Sequence, residues 1–165
     1  MGTKSFISAA LVASMLSLTA CGYHLRGAVD IPEEMKSVYV EGAGSQLQRE
    51  MKQSLRYSDG RLVSSPSQAG MVIKVLKDDM RRRVLALDSQ GKAIEFELTY
   101  TVNYSLLDPQ GKVLLKQQDL EIDREYFNSQ QDILAKNNEE AVIRDEMYRQ
   151  AVRSIISRAR AILKN

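Results

Sequence analysis

One cysteine and one histidine, Cys21 and His24, are all that the sequence holds of either residue type, and the scarcity excludes a good deal. A lone thiol closes no internal disulfide, so the folded chain must be held together by packing. His24 lies three residues beyond it, in a segment too loosely built to hold a catalytic base in place. There is no Cys/His cluster of zinc-binding spacing, no GxSxG elbow, and no glycine-rich loop between a strand and a helix. Charge of one sign is lacking too. The 23 lysines and arginines face 21 acidic residues for a net +2, and because they are intermixed rather than gathered in a tail, composition names no partner. Nor is there a long hydrophobic run: the uncharged, mostly apolar stretch Phe6 to Leu18 is too short to cross about 30 Å of hydrocarbon comfortably as a helix. What is present suffices for one domain, since 165 residues with 44% hydrophobic content can bury a single core.

The short apolar run reads as an address. Lys4 supplies a positive start, and the run ends in Leu18-Thr19-Ala20-Cys21, with small residues ahead of a cysteine, as in a secretory leader. This ending resembles a lipobox. The resemblance implies that the Cys21 thiol receives diacylglycerol, that the chain is cut before it, and that the new amine is acylated. Each buried methylene contributes roughly 0.8 kcal/mol, so several acyl chains hold a protein firmly where one does so marginally. Gly22 follows the cysteine in place of aspartate, which by the same likeness implies release to the outer membrane, on its periplasmic face. Export removes nucleic acid as a partner. The expected organisation is a leader over 1–20, a lipidated tether over 21–36 and a single domain over 37–165.

Within that domain, Ser37 to Val40 reads as a first strand, and Ser45 as the N-cap of a helix carrying Leu47, Met51 and Leu55 on one stripe. Asp59-Gly60 turns the chain, and 62–70 reads as a loop around Ser64-Ser65-Pro66. A β-branched segment from Met71 to Leu76 begins a second strand that continues through Arg83 to Leu87. The clearest signal follows. Ile94, Phe96, Leu98, Tyr100, Val102, Tyr104 and Leu106 alternate with Glu95, Glu97, Thr99, Thr101, Asn103 and Ser105, giving a strand with one apolar and one polar side. Over Ala93 to Leu107 that strand would run roughly 50 Å. Gly91 closes the turn before it, Asp108-Pro109-Gln110-Gly111 makes the next turn, and Lys112 to Phe127 forms the fourth strand. From Asp132 the period changes, with Tyr148, Val152, Ile155, Ala159 and Ile162 spaced for one face of a long helix. The order β-α-β-β-β-α predicts an α+β two-layer sandwich, a four-stranded mixed sheet with both helices on its apolar face.

Charged residues give the candidate sites. Glu121, Asp123 and Glu125 alternate along the fourth strand, which reads as a solvated face. Arg81-Arg82-Arg83, preceded by Asp78 and Asp79, read first as locally paired charge. Together with Lys92 at a hairpin turn and Lys136 early in the last helix, they also suit phosphate, which lysine meets as a point charge and arginine in bidentate fashion.

The start Cys21-Gly22-Tyr23-His24-Leu25-Arg26-Gly27, the long two-hairpin middle, and Leu134-Ala135-Lys136-Asn137-Asn138-Glu139 with Glu146-Met147-Tyr148 resemble the LptE family of lipopolysaccharide-assembly lipoproteins over nearly the whole chain after the leader. The resemblance implies a non-enzymatic subunit of the outer-membrane lipopolysaccharide translocon. Such a subunit sits as a plug in the β-barrel protein LptD, assists its assembly and binds lipopolysaccharide through basic residues. Lys136 stands in the matching motif. The turn Asp88-Ser89-Gln90-Gly91 carries no arginine, leaving Lys92 as the substitute there. The rival reading is a lipoprotein that binds or chaperones lipids alone, which would need the Ile94 to Leu106 face to line a cavity rather than be sealed by the helices. A hydrolase has no supporting constellation.

Overall fold

Residues 31–127 and 133–164 are described by the computed structural model, with side chains given from 139 onward in the second stretch. The leader, Cys21 and most of the tether therefore lie outside the described residues. The elements are β1 (Ser37–Glu41), α1 (Ser45–Arg56), β2 (Arg61–Leu62), β3 (Met71–Leu87), β4 (Ala93–Leu107), β5 (Val113–Phe127) and α2 (Ile133–Leu163). One sheet runs in the order β2-β1-β3-β4-β5. β1 is parallel to β2 and β3, and β3, β4 and β5 form an antiparallel meander.

The predicted two-layer α+β architecture is observed, with a fifth strand added. Asp59, at φ 55, and Gly60 swing the chain back along β1, where Ser37 and Val38 pair with Arg61 and Leu62. Two residues are too few to show an alternation, so the segment reads as loop in the sequence. β4 keeps its predicted bounds, and β3 is one continuous strand of 17 residues. Register shifts between Val75 and Lys77 and again between Val84 and Leu87 let so long a pairing twist without breaking.

Both hairpin turns use one device. The carboxylates of Asp88 and Asp108 each accept two backbone N–H bonds, from Gln90 and Lys92 at 2.8 and 2.9 Å and from Gln110 and Lys112 at 3.0 and 2.8 Å. This holds Lys112 in the turn, so β5 starts at Val113. The same bonds from Lys92 and Gln90 hold the Asp88 carboxyl below the usual carboxylate range, against the opposing effect of desolvation.

Inward from the sheet, Leu98, Tyr100, Val102 and Leu106 are buried to 1% exposure or less. They share one core with Leu47, Met51 and Leu55 of α1 and with Met147, Ala151, Val152, Ile155 and Ala159 of α2, so both helices cover the same face. Full burial of each such aliphatic side chain contributes about 1.5–3 kcal/mol. The start of α1 differs from expectation. Gly44, not Ser45, is the N-cap, with no side-chain capping bond of its own; its N–H donates to Asp78 Oδ2 at 2.8 Å. A carboxylate from β3 thus takes the N-cap's own N–H, as the N3 glutamate of a capping box would, with the helix dipole favouring its charge. The other oxygen of Asp78 accepts from the Tyr100 hydroxyl at 2.8 Å.

Gly42 precedes this junction at φ +79, and a Cβ there would lie 2.3 Å from the Val75 carbonyl oxygen. Gly91 has nearly the same conformation, φ +78, with nothing within 4 Å. Both glycine-to-alanine changes should lose the about 1–2 kcal/mol of left-handed strain, while Gly42→Ala should lose clearly more. Denaturant unfolding of the two variants measures the difference, and equal losses would refute the close approach at Val75.

Candidate functional site

A strand sends consecutive side chains to opposite faces, and this decides where the predicted basic residues go. On the face away from the helices, Arg81 pairs in register with Thr99 and Asp123, and Arg83 with Glu97 and Glu125. Arg82 lies on the helix face, aligned with Leu98. The Arg82 side chain thus reaches to the other face for its partner, although all three arginines line one shallow cleft with Glu97, Thr99, Glu121 and Asp123. Each is also already engaged: Arg81 Nε lies 2.9 Å from Asp79, Arg82 Nη1 3.1 Å from Glu140, and Arg83 makes a bidentate pair with Glu97 at 2.5 and 3.1 Å. The hydrogen bond from Arg83 holds the Glu97 carboxyl below the usual range against its partial desolvation. Of the expected local pairing, Arg81 with Asp79 is found, while Asp78 faces inward to Tyr100.

The outer face carries Asp119, Glu121, Asp123 and Glu125 in one column along β5, all exposed, as the reading of a solvated face required. Asp123 accepts from Thr99 at 2.8 Å, and Asn103 donates to Asp119. Thr101 and Asn103, at 9% and 8% exposure, are the buried centre of this face.

A network that sequence reasoning missed closes the other face. Glu140 of α2 accepts from Arg82, from the Tyr126 hydroxyl, and from Arg144 Nε at 2.8 Å. Arg82 also lies over the Phe96 ring, 4.6 Å from its centroid, and Phe96 stacks on Tyr126 at 5.5 Å. Burial acts to raise the Glu140 carboxyl, but the bonds from Tyr126, Arg144 and Arg82 together hold it below its ordinary value. Burial and the bond to Glu140 push the Tyr126 hydroxyl up, so it stays a neutral donor. Only the i, i+4 pair Glu140–Arg144 was visible in the sequence; the partners on β3 and β5 are brought by folding.

Lys136 stands in α2 one turn before Glu140, with its side chain outside the described residues. Lys92 is exposed at the β3–β4 turn. Six residues separate it from Leu98, level with Arg82, or about 20 Å along the strand, so Lys92 and Arg82 do not converge. Near Lys92, the hairpin end instead exposes Leu87 and Phe127 at 59% and 69%, while Val84, at 48%, lies opposite Phe96 on the helix face. Leu87 and Phe127 give apolar surface near a cation, chemistry suited to an amphiphile. Among the described residues, no helix is long and apolar enough to cross a membrane, and no group of three or more His, Cys, Asp and Glu is placed to hold a metal.

The model of a family described as "LptE: Lipopolysaccharide-assembly" matches residues 35–159. The LPS-assembly lipoprotein LptE of Photorhabdus laumondii subsp. laumondii is 29% identical over 87% of this chain and 79% of its own length. That of Pectobacterium atrosepticum is 24% identical over 87% and 78%. Among solved structures, the uncharacterized lipoprotein B of Nitrosomonas europaea superposes with a TM-score of 0.71 at 26% identity, covering 87% of this chain and 93% of that one. The rare lipoprotein B of Shewanella oneidensis shares the fold at a TM-score of 0.61 and 22% identity, over 78% and 99%.

The Glu140 network gives the site a pH signature. Because the folded carboxyl ionises below its ordinary value of 4.5, the network's contribution is fully present above that pH and is lost as the pH falls through the lowered value. Glu140→Gln should cost about 1–3 kcal/mol at neutral pH, and the gap between variant and wild type should narrow on acidification. Thermal melts across an acid pH series measure it, and a gap independent of pH would refute the charged network.

Proposed function

The chain belongs to the LptE lipopolysaccharide-assembly family, and on that premise we propose that it is a non-catalytic lipoprotein subunit of the outer-membrane lipopolysaccharide translocon. In this reading it is acylated at Cys21, held at the periplasmic face of the outer membrane, and seated as a plug within the β-barrel partner LptD, whose assembly it assists. The observation that carries the reading is the sealed inner face of β4. Of the Ile94 to Leu106 face, Phe96 through Leu106 are buried at 0–7% exposure and Ile94 at the hairpin end is half-buried, so nearly all of the apolar face is spent on the chain's own core. A carrier that enclosed acyl chains would need that face open. What remains outside is a polar strand face and long hairpins, suited to the hydrated interior of a large barrel.

Lipopolysaccharide handling in this reading falls to Lys92 and Lys136, because Arg81, Arg82 and Arg83 are each held by a carboxylate. Exposed Leu87 and Phe127 at the hairpin end, near Lys92, offer contact for acyl chains next to a phosphate.

Detergent extraction and affinity purification from native membranes should recover the chain with a stoichiometric β-barrel, and recovery of the lone chain would overturn the reading. Lys136→Asp should weaken lipopolysaccharide binding while changing stability by less than about 0.5 kcal/mol. Unchanged binding would remove Lys136 from the site.

A further inference from the structure

None of the six ion pairs among the described residues involves a cation of α1. Along α1, Arg49, Lys52 and Arg56 stand at spacings of three and four, and with Gln53 and Tyr57 they line a shallow cleft of about 500 Å³. A second cleft across the seam with α2, of about 210 Å³, shares Gln53 and Tyr57 and adds Arg149 and Arg153, so the two form one continuous surface. All five cations are exposed, and none is ion-paired among the described residues. The single carboxylate lining the clefts, Glu50, is buried at 9% exposure. Arg81, Arg82, Arg83 and Arg144 are each paired with a carboxylate; here five cations that repel one another are gathered on one surface and left to be neutralised from outside.

The composition of the patch tells what kind of surface fits it. Tyr57 stands at its centre, 67% exposed, ringed by four arginines and one lysine. Tyrosine and arginine are enriched at protein interfaces and supply most hot spots, whereas lysine is depleted. Arginine also meets carboxylates bidentately. The patch is broad and open across two helices, a shape for a facing wall rather than a small ligand. Its charge is opposite to that of the β5 column of Asp119, Glu121, Asp123 and Glu125 on the far side of the sheet.

We propose that the helix surface formed by Arg49, Lys52, Arg56, Tyr57, Arg149 and Arg153 is a docking face for a carboxylate-rich wall of the barrel partner. It rests on the plug reading above and deepens it. The opposed charges of the two faces then fix one rotational setting of the domain inside the barrel.

The test uses the full acylated chain in native membranes. One arm places a photo-crosslinking residue at Gln53, which both clefts share, or at Lys116 of β5, and maps the adducts by mass spectrometry. The other purifies the triple variant Arg49→Glu, Arg56→Glu, Arg153→Glu alongside the control Lys112→Glu at a hairpin turn, with melting curves to verify folding. The proposal expects Gln53 adducts on acidic barrel peptides, and recovery of barrel falling about tenfold or more in the triple variant but not in the control. A folded triple variant with wild-type barrel recovery overturns it. So do Gln53 adducts on lipid alone, or loss of lipopolysaccharide with the barrel retained, either of which assigns the patch to phosphate. Failure of the wild-type chain to bring down a barrel by any arm overturns the plug reading itself, whereas adducts to the barrel from Lys116 but not Gln53 overturn only the docking face.

Discussion

The need to cover one side of β4 governs the rest of the molecule. Half of this strand of 15 residues is apolar, and an apolar strand face is stable only against another layer. Two helices lying on the same side supply it, which commits α1 and α2 to one layer and leaves the opposite face without cover. The outer face must therefore satisfy its own polar groups in the plane of the sheet, and it does so with cross-strand pairs such as Arg83 with Glu97 and Thr99 with Asp123. The core and the charged face are two results of the same alternation.

The two layers are joined by two carboxylates reaching across them. Asp78 ties β3 to the first turn of α1 and to Tyr100 of β4, and burial together with this bond pushes the Tyr100 hydroxyl far up, so that it serves only as a donor. Glu140 ties α2 to β3 and β5. Each is a charge held next to cations or oriented donors, so removing either partner leaves a polar group stranded rather than simply deleting a contact.

Much of the fold was legible because the chain states it locally. The alternation from Ala93 to Leu107 gave the bounds of β4, and the 3.6-residue spacing of Val152, Ile155 and Ala159 gave the buried side of α2. What escaped depends on groups distant in sequence. β2 has two residues and exists only because β1 lies beside it. Gly44 displaced Ser45 as the cap because Asp78, 34 residues on, reaches the helix start. The Glu140 network joins residues up to 58 apart, beyond any local pattern. That Arg82 finds its partner on the helix face while Arg81 and Arg83 find theirs on the other was implicit in the strand, since a period of two alternates consecutive side chains. Lys136 and Cys21, where family resemblance spoke most directly, fall where no side chain is described.

The order of the sheet places β5 at an edge, with a ladder of backbone donors and acceptors turned outward. Such a border invites a second copy to zip onto it. Four carboxylates on alternate residues, about 7 Å apart along the strand, would then be brought against four more, and the crowding of like charge opposes that growth. The rim of the sheet is thus guarded by repulsion, not by a covering element.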